Sequence, residues 1–304
     1  MFRPWRSFPT MVASGLVVGF ATGGFPAYSK EISQLALAVG MAFSLSEITL
    51  KGISPRAEVR GFLVSFALSY VLLSGVILAF AYVSYEVAIR DGWVLMAAVP
   101  PAVAVVPITA YLKGDTRRAL VSLATLYLLG LALVPLITLA FTSQAVPVSE
   151  LLLQTVLLIG APLVGSRAIA HWPRVRDARI TVVSVTFFFL VIAVSGSTRD
   201  PLIQRPDLLG VLSVLAFVRT FGVGSLVFLA ARVARAPRGT QLSLTTFASF
   251  KNLGLAVVLA FAMFGPTATL PSIVSLIFEI GWLASLPLVF RTFGAPDAVA
   301  GGPD

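Results

Sequence analysis

Lys251 and Asn252 stand side by side, with Gly254 two residues on, inside the apolar stretch SLTTFASFKNLGLAVVLAFAMFG (243–265). The stretch is long enough to cross a bilayer. A lysine near its middle costs about 3 kcal/mol on insertion scales. At about 1.5 Å per residue the ammonium lies about 15 Å from the nearer end, too deep for its stem to snorkel fully to the interface. Two more charged residues fall near the centres of apolar stretches, Arg219 and Glu279. Charges at such depth face a bundle interior, pair with one another and mark solute or ion paths. Lys251 therefore reads as a fixed or titratable cation in a site. The plainer alternative is a buried lysine held by Glu279 or by helix-end carbonyls. Glu279 and Arg219 read equally well as site charges and as a packing ion pair. If all three are ionised a positive surplus remains, a balance that suits an anion. The Asn252 amide can ligate a solute or satisfy carbonyls freed at a helix break, and Ser249 is close by.

The elements that must position these residues are helices in lipid. Of 304 residues, 58% are apolar and 12% charged, and the mean hydropathy is +0.95. Soluble domains are about a quarter charged. Apolar runs occupy the whole length, which leaves no room for a sizeable soluble domain. The chain has no cysteine, so disulfides and thiolate metal sites are excluded. The single histidine, His171, sits beside Trp172 and Pro173 in a basic loop and reads as a surface residue. The start MFRPWRSFPTMVASGLVVGF has a basic head before an apolar run but no small-x-small cleavage site, and reads as a first, uncleaved span.

With about 20 apolar residues needed per crossing, ten candidate spans appear. They are 9–28, 31–48, 60–83, 92–112, 118–141, 149–170, 178–197, 208–231, 241–264 and 269–290. With the N-terminus inside, the cytoplasmic segments hold Arg3, Arg6, Lys51, Arg56, Arg60, Lys113, Arg117, Arg118, Arg167, Arg174, Arg176, Arg179, Arg232, Arg235, Arg238 and Arg291. The other side holds only Lys30, Arg90, Arg199 and Arg205. That bias predicts a cell (plasma or inner) membrane protein with both termini cytoplasmic. It also accounts for the net charge of +9 with no nucleic-acid partner. The expected partners are the lipid bilayer and a small-molecule solute.

Ten spans divide into five and five at the polar loop TSQAVPVSE, 142–150. The expected domains are a first five-helix repeat (1–141), a second (142–291) and a flexible C-terminal tail (292–304). An odd number of helices per half inverts the second repeat relative to the first, an architecture of secondary transporters whose sites lie on interrupted helices. Span 4 contains VPPAVAVVP, with Pro100, Pro101 and Pro107, and proline breaks a helix by removing a donor and crowding the preceding turn. Its counterpart in the second half is span 9, which carries Lys251.

Three segments carry a resemblance. Span 2 reads MAFSLSEITLKGI. Span 4 runs into span 5 as PITAYLKGDTRRALVSLATLYLLGLALVPL, with Pro135 near its end. Span 9 reads FKNLGLAVVLAFAMFGPTATLP. In this order on a ten-span frame they are similar to the bile acid:sodium symporter family and its bacterial relatives. The resemblance implies an all-α membrane protein of ten helices in two inverted five-helix repeats. Spans 1, 2, 6 and 7 would form a panel and 3–5 and 8–10 a core, with broken helices 4 and 9 crossing. It also implies two sodium sites, and there this chain departs. A Ser-Asn pair expected before Thr109 is Val105 and Val106. Hydroxyl positions on span 5 fall on Leu123 and Tyr127. The family's glutamate falls on Phe247, and its glutamines on Lys251 and Ser65. Both sodium sites look dismantled, no other cofactor is implied, and protons remain as a coupling ion. The candidate site is therefore Lys251, Asn252, Ser249, Glu279, Arg219, Pro101, Val105, Val106, Thr109, Tyr127, Phe247 and Ser65, with no metal.

The resulting expectation is a secondary transporter of small organic solutes, with organic anions foremost. It would be sodium-independent, with the Lys251 ammonium standing where a sodium ion would sit. The alternatives are a proton-coupled, antiporter-like carrier and a non-transporting receptor or partner subunit on the same frame. An enzyme is not expected, because there is no histidine at depth and no second acid near Glu279 for acid–base or metal work.

Overall fold

The computed structural model describes residues 7–46, 55–142 and 146–293. Arg3, Arg6, Lys51, the 47–53 part of the span-2 motif, part of the 142–150 loop and the expected tail from 294 onward lie outside the described residues. Among the described residues every regular element is helical. Helices lie over all ten candidate spans, and seven segments are long and apolar enough to cross a membrane. Those seven are the mark of a multi-pass membrane protein.

The chain opens with α1 (Phe8–Thr22) and α2 (Ser29–Leu45), of 15 and 17 residues. Helix α3 covers 55–83 and widens to a π-helical stretch over Ala67–Leu73. Next come α4 (Val87–Ala98), α5 (Val105–Tyr111) and α6 (Thr116–Phe141). The long α7 (Val148–Ile169) and α8 (Pro173–Ser197) follow. A short α9 (Arg199–Gln204) then leads into α10 (Pro206–Val233), which is π-helical over Val218–Gly222. The described residues end with α11 (Arg238–Ser249), α12 (Leu253–Phe264) and α13 (Leu270–Thr292).

Two helices break in mid-course. Between α4 and α5 the backbone leaves the helix over 99–104, where neither Pro100 nor Pro101 has an N–H to donate. Pro107 takes no part in that break; it lies in the first turn of α5, where a missing N–H is harmless. Between α11 and α12 the helix stops at Ser249, Phe250 is extended, and Asn252 restarts it by accepting from Leu255 N–H (3.0 Å) through its side chain.

Packing sorts the helices into two groups. Helix α8 lies against α1 and α2, and α2 against α7. The second group joins α3, α4, α5, α6, α10, α11, α12 and α13. The groups meet chiefly where α12 packs on α2 and α8, and where α6 packs on α7. The α1–α8 seam brings two backbones together: a Cβ on Gly196 would lie 2.1 Å from the Gly24 nitrogen.

Candidate functional site

The two breaks touch. Asn252 N–H donates to the Pro100 carbonyl (2.9 Å), so the gap in one helix is closed by the gap in the other. Lys251, at this crossing, is fully buried. Its Nζ donates to Val99 O (2.8 Å), Ala97 O (3.0 Å) and Ser74 Oγ (2.9 Å), which uses all three ammonium donors. It also lies 4.3 Å from the centroid of the Tyr70 ring, a cation–π distance. Ser74 donates in turn to Ala97 O (2.6 Å). The carbonyls are available for a local reason. In an unbroken helix Ala97 O would accept from the N–H of residue 101, which is a proline, and Val99 lies past the last turn of α4. The ammonium therefore finishes α4 at its C-terminal end, where the helix dipole also favours a cation.

Glu279 does not pair with the ammonium. Its Oε1 accepts from the Lys251 backbone N–H (3.0 Å) and from Arg219 Nη2. Arg219 is fully buried on the π-helical stretch of α10. The carboxylate thus ties α13 to α10 and to the second break, and leaves the Lys251 side chain to the first. On the far side of the crossing Asn252 Nδ2 donates to the Tyr127 hydroxyl (2.7 Å) and faces the Met41 sulfur at 3.8 Å. This links α12 to α6 and α2.

A cavity of about 530 Å³ abuts the crossing. Its floor is Ala102–Ala104 from the first break and Phe250, Lys251, Asn252 and Gly254 from the second. From there it extends to where α5 ends, α8 begins and α13 ends, at Leu112, Arg179 and Pro287. The walls are largely apolar side chains of α8 and α13, such as Phe187 and Ile280. Glu279 borders it. Among the described residues, none from α3 or α4 lines it, so the residues whose oxygens hold the ammonium stand outside the lining while Lys251 itself borders the cavity.

The structure joins Lys251, Asn252, Glu279, Arg219 and Tyr127 through direct hydrogen bonds, and Pro101 lies buried in the first break. The other candidates serve packing. Ser249 accepts from Trp282 Nε1 (3.0 Å) and donates to Thr245 O (2.6 Å). Thr109 turns its hydroxyl back on Val105 O (2.7 Å). Val105, Val106 and Phe247 are buried apolar side chains near the breaks, and Ser65 is buried on α3. The α3 hydroxyl on the ammonium is Ser74, which sequence reasoning missed, as it missed Tyr70 and Met41. Pro101 was the available signal for the carbonyl cage. His171 is exposed, as its loop position suggests.

Comparison of the chain with family models and with curated proteins finds no match.

Proposed function

We propose that this protein is a secondary transporter of small organic solutes. It would cross the membrane ten times, with α4–α5 and α11–α12 as two broken crossing helices in inverted five-helix repeats. In this reading the group α1, α2, α7 and α8 is a panel moving against the remaining core. Both termini are cytoplasmic, and the cavity opens to the cytoplasm of a cell or inner membrane. The resemblance to the bile acid:sodium symporters supplies the frame, and transport without chemistry on the solute supplies the role.

One observation carries the mechanism. Three oxygens from two elements converge on the Lys251 ammonium at the crossing, as they would around a small cation. The charge is covalently attached, so it cannot leave with the solute. It holds α4 to the second break through the transport cycle, and the carrier runs without sodium. The positive surplus of Lys251 and Arg219 over Glu279 beside the cavity favours organic anions in it. The test is solute uptake by proteoliposomes with and without a sodium gradient. Equal rates are expected, and a several-fold sodium requirement rejects the reading. Because Glu279 borders the cavity, proton coupling is the second reading. Uptake that falls when a proton gradient is dissipated would select it. Saturable binding with no flux would select a receptor.

A further inference from the structure

The ion pair of Glu279 and Arg219 is only half closed. Glu279 Oε1 accepts both hydrogen bonds of the carboxylate, from the Lys251 backbone N–H (3.0 Å) and from Arg219 Nη2. Among the described residues Oε2 accepts none. Arg219 has more to give, because its Nε and Nη1 are buried and, among the described residues, without a partner. An arginine and a carboxylate that serve only to hold two helices together close as a fork, with two parallel bonds. Here one bond forms and the second oxygen is left out of the pair. Oε1 is pinned from two elements, α10 and the second break, which fixes where the carboxylate stands.

The Glu279 side chain is 8% exposed, and it borders the large cavity. On that lining it stands in an apolar stripe of α13, with Leu276, Ile280 and Leu283 at helical spacing. The polar side chains that border the cavity from the crossing are spent. Lys251 Nζ is in its cage, and Asn252 is engaged by Leu255 N–H and Tyr127. Oε2 is therefore a charged acceptor set in an apolar wall. A solute without a donor strips water from it and leaves a charged oxygen unpaired, which is costly. A solute that brings a donor restores the bond. Sites built on a buried polar group reject analogues that lack the matching group for this reason.

We propose that Glu279 determines the specificity of the cavity. Its solute is an organic acid that also carries a hydrogen-bond donor, a hydroxyl or an N–H, which binds Glu279 Oε2. This inference rests on the transport reading for the role of the cavity, and the experiment separates the two by measuring binding and uptake independently.

The probes are naphthoates with a hydroxyl at each open position of the second ring. Each is set against its methoxy counterpart, which keeps the oxygen and replaces the donated proton by a methyl. Binding to the full chain in detergent is read by probe fluorescence. At least one hydroxy acid is expected to bind roughly tenfold tighter than its methoxy partner, the size of one hydrogen bond to a charged group. In Glu279→Gln the amide oxygen stays on Lys251 N–H and Arg219, so the amide N–H group takes the place of Oε2. The hydroxyl preference should then vanish or reverse. Ile280→Trp, beside Glu279 on the same wall, should abolish binding of both members of a pair. Should Glu279→Gln fail to fold, the wild-type pairs and Ile280→Trp decide. Equal affinities within every pair, no binding of any probe, a preference that persists in Glu279→Gln, or binding that survives Ile280→Trp overturns the assignment. Uptake of the same probes is followed in proteoliposomes. A hydroxyl preference in binding with no uptake overturns the transport reading alone. Equal uptake of both members of every pair overturns the role of Glu279 alone.

Discussion

A buried ammonium is tolerated when every donor is matched, and Lys251 meets that condition with Ser74, Ala97 and Val99. Removing it should reveal what it replaces. Lys251→Ala takes the cation from two carbonyls and a hydroxyl and leaves Val99 O without the donor it had, while Ser74 and Ala97 O keep the bond between them. Unsatisfied buried groups cost about 1–3 kcal/mol each, partly offset because no charge is buried any longer. A net loss of about 2–4 kcal/mol is expected, read as a lower melting temperature in detergent. If the cage is a cation site in all but name, sodium chloride should restore part of that loss in Lys251→Ala, where an equal concentration of N-methylglucamine chloride does not. The wild-type protein should melt alike in both salts. Stabilisation at 100-fold over the dissociation constant is about 2.7 kcal/mol, ample to detect. Wild type gaining as much as the variant would show that sodium acts elsewhere. The charged half of this site was legible because a charge inside an apolar run is conspicuous. The cage was not, because carbonyl oxygens have no letter in a sequence. Only Pro101, by withholding a donor from Ala97, announced one of them.

At the scale of elements, the two breaks were unequally visible. Pro100 and Pro101 mark the first. The second has no proline, and its only local signal is Asn252 as an N-cap. What opens α11 there is tertiary: Asn252 N–H goes to Pro100 O and Lys251 N–H goes to Glu279, so neither is spent inside the helix. The seams between helices depend on features that the sequence also hides. A glycine needed for contact looks the same as one that is merely present. Gly196 and Gly75 separate the cases. A Cβ on Gly196 meets Gly24 backbone atoms at 2.1 and 2.2 Å, and backbone cannot rotate aside. A Cβ on Gly75 meets nothing within 4 Å. Gly196→Ala should therefore force α1 from α8 and destabilise by about 1–3 kcal/mol or more. Gly75→Ala should be neutral or stabilise by about 0.5–1 kcal/mol through helix propensity. Melting temperatures of the pair in one detergent decide it, and equal shifts would remove the seam from the account.

For the whole molecule the question is how many segments cross. Among the described residues seven meet the length requirement outright. Helices α1 and α2, at 15 and 17 residues, are about 22 and 26 Å long at 1.5 Å per residue, against a hydrocarbon core of about 30 Å. They come as a pair, so leaving both out moves no loop except 23–28 to the other side. The broken α4–α5 segment differs. If it did not cross, the 84–86 turn and the 112–115 turn would share a side, and the basic cluster of Lys113, Arg117 and Arg118 would lose its agreement with the other basic loops. Three exposed positions, read against Trp172, test the pair and the broken segment separately. Tyr28→Cys and Tyr85→Cys, at residues 74% and 103% exposed, should both be labelled from the side opposite Trp172→Cys. Tyr111→Cys, 77% exposed at the end of α5, should label with Trp172→Cys. Tyr28→Cys labelled from the Trp172 side would reduce the count to eight crossings, with α1 and α2 a re-entrant hairpin. Tyr111→Cys labelled with Tyr85→Cys would remove the crossing of α4–α5. With it would go the depth of Lys251 in the bilayer, because the cage that holds the ammonium is built on the end of α4.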